Sequence, residues 1–267
     1  MPQVRINNHD MYYEIHGAGP PLICSGGWGT FCHGAERHIP EGLIAQNQVI
    51  LFDHRGIADS DDDLSIPAST ALYAEDVIGL ITHLGLPAVH LVGIIGIGAC
   101  IFQEVAIRRP DLVRSLVNSG AWAKVDIYFQ KQLEMWLEIH RQMGFAAFQQ
   151  KVVLEGFDAD FVNARSDRLM SPEGPWSELN GHLVAQERFT EAALSHDTVD
   201  RLSKIQAPTL IIHTGRDQMT GPRFSNVLEA GIPNAVGVRF DDAPHVITNR
   251  EDRARFARSI VDFVAQH

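Results

Sequence analysis

The stretch Leu91-Val92-Gly93-Ile94-Ile95-Gly96-Ile97-Gly98-Ala99-Cys100-Ile101-Phe102-Gln103-Glu104 decides the fold of this 267-residue chain. A short apolar run, Val89 to Val92, enters a glycine-rich turn, and an amphipathic helix follows. Strand, sharp turn and helix form an elbow, the device that raises a nucleophilic side chain above a sheet in G-x-S-x-G sequences. Here the turn offers Ile94, Ile95, Gly96 and Ile97, and none of these side chains can attack a carbonyl carbon.

Two registers fit the turn. Counting from the strand puts Ile95 at the nucleophile position; counting back from Gly98-Ala99 and the helix puts Gly96 there. Positive φ is required at that position. It is an outlier for a β-branched residue and costs glycine nothing, so Gly96 is the expected apex, with Ile95 packed beside it. In either register a serine, cysteine or aspartate is missing. A dinucleotide loop is excluded by spacing: glycines at 93, 96 and 98 do not make G-x-G-x-x-G.

Working outward, strands and helices alternate. Val4 to Ile6 and Met11 to His16 read as a hairpin across Asn7-Asn8-His9-Asp10. Pro21 to Ser25 and Gln48 to Asp53 read as buried strands, Ser69 to Leu84 as a helix stopped by Gly85, and Val113 to Asn118 as another strand. From Trp122 to about Ala193 strand signals vanish and helical ones take over, with a break at Ser171-Pro172-Glu173-Gly174-Pro175. Thr209 to His213, Val236 to Phe240 and a helix from Asn249 to Ala265 complete the chain. The expectation is an α/β architecture with a mostly parallel central sheet flanked by helices. Residues 1–121 and 196–267 would form the core, and 122–195 a helical cap over the carboxyl ends of the strands, where open α/β sheets bind ligands.

Composition narrows the partners. A formal charge of −11, from 22 basic and 33 acidic residues, argues against nucleic acid or an anionic membrane. No apolar run reaches membrane-spanning length. Three cysteines (Cys24, Cys32, Cys100) in apolar surroundings suggest no disulfide framework and fit a reducing cytoplasm. The polar first ten residues have no signal-peptide core. Histidines at 33, 38, 54, 83, 90 and 140 are scattered without metal-ligand spacing, so no metal and no cofactor is expected. A small molecule is the expected partner, and a homo-oligomer is compatible with the sequence.

Several motifs in order resemble the α/β-hydrolase fold, and the resemblance covers nearly the whole chain. Gly19-Pro20-Pro21-Leu22-Ile23 leading to Gly26-Gly27-Trp28-Gly29 resembles the oxyanion-loop segment, with Ser25-Gly26 in place of the usual His-Gly. Phe52-Asp53-His54-Arg55-Gly56 with Asp59-Ser60-Asp61 resembles the D-x-R-G-x-G-x-S segment. His213-Thr214-Gly215-Arg216-Asp217 resembles the acid segment, and Ala243-Pro244-His245 the histidine segment. Size and the stretch His196 to Leu202 resemble 3-oxoadipate enol-lactonase-like hydrolases. The elbow itself is more similar to the non-catalytic N-myc downstream-regulated branch, which this chain departs from by keeping a histidine in place.

The resemblance implies roles. Asp217 and His245 would be the acid and base, with Asp217 holding the imidazole tautomer. The backbone N–H groups of Trp28 and Ile97 would form the oxyanion hole. Ser25, Gly27, Ser119 and Trp122 fall near the expected pocket, and Cys100, one turn into the helix, should face the interior. Three functions remain open at this stage. One is an enzyme acting on a small carbonyl compound by His–Asp general-base chemistry without an acyl-enzyme, through water-mediated hydrolysis, C–C cleavage or a lyase or decarboxylase reaction. The second is a non-catalytic ligand-binding or regulatory protein. The third is a serine-type hydrolase with a displaced nucleophile.

Overall fold

The computed structural model describes residues 3–267. The strands are β1 (Gln3–Ile6), β2 (His9–His16), β3 (Pro21–Ser25), β4 (Gln48–Phe52), β5 (Val89–Gly93), β6 (Val113–Ser119), β7 (Thr209–Thr214) and β8 (Ala235–Phe240). The α-helices are α1 (Leu43–Gln46), α2 (Thr70–His83), α3 (Ile97–Arg108), α4 (Ile127–Met143), α5 (Phe145–Gly156), α6 (Ala159–Leu169), α7 (Leu183–Ser195), α8 (Pro222–Gly231) and α9 (Arg250–Gln266). The sheet order is β1-β2-β4-β3-β5-β6-β7-β8. Only the β1–β2 and β2–β4 pairings are antiparallel.

Alternation along the parallel strands builds two cores. Ile23, Ile50, Leu91, Leu116 and Ile211 face α2 and α3, while Leu22, Val49, Leu51, Val92, Val117 and Ile212 face α9. Side chains one residue apart point to opposite faces of a sheet, and a sheet covered on both faces needs apolar residues at every position. Helix starts follow local chemistry. Ser69 accepts from Leu72 N at 3.0 Å, Asp126 from Phe129 N at 2.7 Å and Asn249 from Asp252 N at 2.8 Å. Sequence reading has no counterpart for α8, whose apolar stripe is short (Phe224 and Leu228) and which lies between Gly221 with Pro222 and Gly231, signals that also mark loops. No helix among the described residues is long and apolar enough to cross a membrane.

Two features of this topology position a site. The sheet order reverses between β3 and β5, so the loops leaving their carboxyl ends diverge and leave a crevice between them. The chain from β6 to β7 then places α4 over the loop after β3, with Trp136 edge-on to Trp28 at 5.5 Å between ring centroids.

A buried ion network ties this architecture together. Arg55, 1% exposed, donates to Asp76 of α2 through Nε (2.6 Å) and Nη2 (2.8 Å), and to the hairpin carbonyl of Asn7 at 2.8 Å. Arg188 of α7 donates to Asp62 at 3.0 Å, and Asp62 lies 3.6 Å from Arg55. Removing one partner of such a pair strands a desolvated charge. Asp76→Ala should lower the unfolding free energy by about 3–5 kcal/mol in urea denaturation. A loss below ~1 kcal/mol would mean that the network adds little.

Candidate active site

The elbow is built on glycine. β5 ends at Gly93, Ile94 N donates to Ser25 O at 2.9 Å, and Gly96 adopts φ 66° and ψ −137° immediately before α3. Ile95 lies between two glycines: a Cβ on Gly27 would meet its Cγ2 at 3.6 Å, and one on Gly120 its Cγ1 at 3.3 Å. Gly98 N donates to Gly26 O at 3.1 Å, and a Cβ at Gly98 would lie 2.3 Å from that same oxygen. The loop after β3 therefore rests directly on the first turn of α3, and only glycine permits the approach.

At Gly96 itself a Cβ would have a single neighbour within 4 Å, Gly27 Cα at 3.6 Å. A Cβ there would make an ordinary van der Waals contact with the loop after β3. Among the described residues, the backbone N–H groups of Trp28 and Ile97 have no protein acceptor. Ile97 opens α3, where the first N–H groups are unsatisfied and the helix dipole favours negative charge.

A chain of contacts runs from the elbow to Asp217 and His245. Gly96 N donates to Gly120 O at 3.1 Å, and a Cβ on Gly120 would touch Thr220 Oγ1 at 3.3 Å. Thr220 Oγ1 donates to Asp217 Oδ2 at 3.0 Å and lies 3.2 Å from His245 Nδ1. His245 Nδ1 donates to Asp217 Oδ2 at 2.8 Å. The hydrogen on Nδ1 is required by the carboxylate beside it, so in the neutral ring Nε2 carries the lone pair. Nε2 makes no hydrogen bond among the described residues. The ring is wedged under α5: a Cβ at Gly156 would lie 4.0 Å from its Cδ2, and Val246 N donates to Gly156 O at 2.9 Å.

Asp217 also accepts from Met219 N (2.7 Å), Thr220 N (2.9 Å) and Thr214 Oγ1 (3.3 Å). Burial by itself would raise its pKa. The charge and hydrogen bond of His245, with the N–H groups of Thr220 and Met219, outweigh that and hold the carboxyl at about 2. Thr220 carries no signal of its own in the sequence beyond standing three residues after an aspartate, a spacing that suits an Asx turn.

The remaining candidates are placed as follows. Ser25 Oγ is 2.9 Å from His54 Nε2, and both residues are buried. Ser119 ends β6, is buried, and makes no side-chain hydrogen bond to His245. Burial pushes the thiols of Cys24, Cys32 and Cys100 well above their ordinary range, which removes thiolate chemistry. Trp122 is buried against Phe129, with ring centroids 5.0 Å apart. The sequence offers no metal-ligand spacing, yet the fold brings Glu14, His16 and Glu36 together with ligand atoms within 4.8 Å of one another. In that group His16 and Glu14 already hydrogen-bond to each other at 2.8 Å. A cleft of about 270 Å³ opens beside the acid–base loops, between Glu155, Asp158 and Asn163 on one side and Arg216, Gln218 and Pro244 on the other.

Comparison with known proteins bears on the family and the fold. A family model described as alpha/beta hydrolase fold matches residues 20–248. A protein of Azorhizobium caulinodans named "Putative carbamate hydrolase RutD" is 30% identical over 251 residues, covering 93% of this chain and 92% of that protein. A same-named protein of Rhizobium rhizogenes is 26% identical over 95% of this chain and 97% of its own length. Among solved structures, the enol-lactonase from Burkholderia xenovorans LB400 superposes with a TM-score of 0.81 at 20% identity, covering 99% of this chain and all (100%) of that one. MGS-M2, an alpha/beta hydrolase enzyme from a deep-sea metagenome library, superposes with a TM-score of 0.87 at 21% identity, covering 100% and 98%.

The depressed pKa of Asp217 links the site to stability. Because its folded value of about 2 lies below the unfolded value, the stabilisation is complete above roughly pH 4 and drains away as pH falls toward 2. Wild type should therefore lose about 2 kcal/mol relative to Asp217→Asn across that window, read by denaturant melts at stepped pH. Parallel profiles for the two proteins would show that Asp217 is not held in this way.

Proposed function

Since the chain belongs to the α/β-hydrolase fold family, we propose that it is an enzyme that hydrolyses a small carbamate-class substrate, with His245 as general base and without an acyl-enzyme. The observation that carries this reading is the chain of contacts that leads from Gly96, an apex without a nucleophilic side chain, through Gly120 and Thr220 to the Asp217–His245 pair with its free Nε2. A water molecule fits that role where a serine oxygen does not exist. The segment 122–195 acts as the cap that closes the site.

In this reading His245 Nε2 takes a proton from water as the oxygen attacks the carbonyl carbon. The carbonyl π electrons move onto oxygen, and the oxyanion is received by Trp28 N–H and Ile97 N–H. Collapse breaks the bond to the leaving amine or alkoxide, which recovers the proton from the imidazolium. Asp217 keeps Nδ1 protonated throughout and stabilises the cationic ring. Thr220 holds Asp217 in register. The relatives' names favour hydrolysis over C–C cleavage or decarboxylation.

One contact favours a second reading. Ser25 and His54 form a buried serine–histidine pair at 2.9 Å, which would suit a displaced nucleophile. Burial lowers the His54 pKa to about 4, however, which makes it a weak base, and Asp217 is bonded to His245 instead.

Turnover of small carbamates by the purified protein, set against p-nitrophenyl esters, tests the proposal. His245→Ala should lower kcat by about 10²–10⁴-fold, the usual share of a general base. Fluorophosphonate probes should leave the wild type unlabelled and active. Undiminished activity in the His245 variant would remove the base assignment. Stoichiometric labelling of Ser25 or Ser119 with loss of activity would establish the displaced nucleophile.

A further inference from the structure

The corner between α5 and α6 carries a carboxylate with two possible partners. Asp158 is the N-cap residue of α6 and has the extended backbone of a cap (φ −65°, ψ 144°), yet its side chain caps nothing. Among the described residues the N–H groups of Asp160 and Phe161, the donors such a cap serves, have no acceptor. The Asp158 carboxylate instead meets Arg216 Nη2 at 3.2 Å, across the cleft of about 270 Å³ between the helical segment and the loops after β7 and β8. Arg216 is tied to both loops: its backbone N donates to Ala243 O at 3.0 Å and its Nη1 to Asp242 O at 3.4 Å. Nearby, Gly156 O accepts from Val246 N at 2.9 Å, and Gly156 lies against the Cδ2 edge of His245, whose side chain is 11% exposed. The corner therefore covers one edge of that ring. α6 itself is lightly held, since only Val162 and Leu169 of its 11 residues are buried.

We propose that Asp158 is a two-position latch on the helical segment: bonded to Arg216 it holds the α5–α6 corner down on His245, and released it caps α6 and lets the corner lift. The two positions are closely matched. An ion pair whose side chains are 61% and 30% exposed is weakened by solvent and by the entropy of ordering both chains, and an N-cap bond is a contribution of similar, small size. The charge of Asp158 lies at the N-terminus of α6 in either position, so the helix dipole does not choose between them. A close balance between two arrangements is what a moving element needs, because a small differential interaction then shifts the population. Lifting the corner breaks the bond between Val246 and Gly156 and uncovers the edge of the imidazole, so the latch controls how a ligand reaches His245. That consequence rests on the hydrolase reading above; the latch itself rests on the contacts of Asp158.

Amide hydrogen exchange on the full chain, followed by NMR, reads both positions without turnover. In Arg216→Gln the amides of Asp160 and Phe161 should exchange about fivefold more slowly, the scale of an N-cap bond. The Val246 amide should exchange about threefold faster, the scale of an exposed ion pair. Adding Asp158→Ala to that variant should return the two α6 amides to their wild-type rates while Val246 stays fast. Sodium chloride at about 1 M, which screens exposed pairs, should move the wild type toward the Arg216→Gln pattern and leave the Arg216→Gln protein unchanged. The salt arm needs no substitution and stands if a variant folds poorly. Unaltered α6 rates in Arg216→Gln would mean that Asp158 does not switch, and an unaltered Val246 rate that the pair does not hold the corner; either result overturns the latch. This exchange pattern without carbamate turnover would remove the hydrolase reading and leave the latch standing; His245-dependent turnover without the pattern would do the reverse.

Discussion

The site depends on one close approach. The carbonyl of Gly26 accepts from Gly98 N at 3.1 Å, with no side chain between the loop after β3 and the first turn of α3. A methyl group at 98 would have to occupy the volume of that oxygen, so the contact cannot survive even alanine without displacing the loop. In the proposed reaction the N–H groups of Trp28 and Ile97 would act together because loop and helix are held this close. The second glycine requirement, positive φ at Gly96, turns the chain sharply enough for α3 to start there. Together they preserve an elbow whose backbone is complete and whose side chain is gone.

Loss of an elbow nucleophile need not silence such a site, because the other contributions come from different atoms. Backbone donors act on charge developing at oxygen and are indifferent to whether serine or water attacked. The imidazole acts on whichever O–H lies within reach. Asp217 is saturated by hydrogen bonds from His245, Thr220, Met219 and Thr214, which makes it a fixed negative charge and not a proton acceptor. A fixed anion orients the ring and steadies its cationic form, the service a general base needs from its partner. That so well-ordered a pair accompanies an elbow without a nucleophilic side chain is the physical ground for proposing water-directed chemistry over a covalent intermediate.

The helical segment between β6 and β7 is fastened to the core by contacts of two kinds. Polar ties run from Arg188 to Asp62 (3.0 Å), from Arg216 to Asp158 (3.2 Å) and from Val246 N to Gly156 O (2.9 Å). Ring contacts between Trp28 and Trp136 and between Trp28 and Phe148 lie above the strand ends. The last polar tie adjoins His245, so the position of α5 and the orientation of that ring are linked by direct contact. This coupling lies in tertiary contacts between residues roughly ninety positions apart (from Gly156 to Val246) and leaves no local mark.

Much of the fold was legible in the sequence because its signals are local. Pro21–Ser25, Thr209–Thr214 and the elbow strand are short apolar runs bounded by turn residues, and Ser69, Asp126 and Asn249 supply helix caps by their own chemistry. Steric cost alone favoured Gly96 over Ile95 at the elbow, since φ preference belongs to the residue. Helix α8 was not legible, because its two buried apolar side chains make a stripe too short to separate from a loop. Motif order pointed to Asp217 and His245, but only tertiary structure brought Thr220 against both, gave Ser25 to His54 and gathered Glu14, His16 and Glu36. It also left Trp122 Nε1 and Gln132 Oε1 without partners. Hydrogen-bond partnership is a property of three-dimensional neighbours: the sequence determines which groups can donate and accept, and packing decides which find each other and which do not.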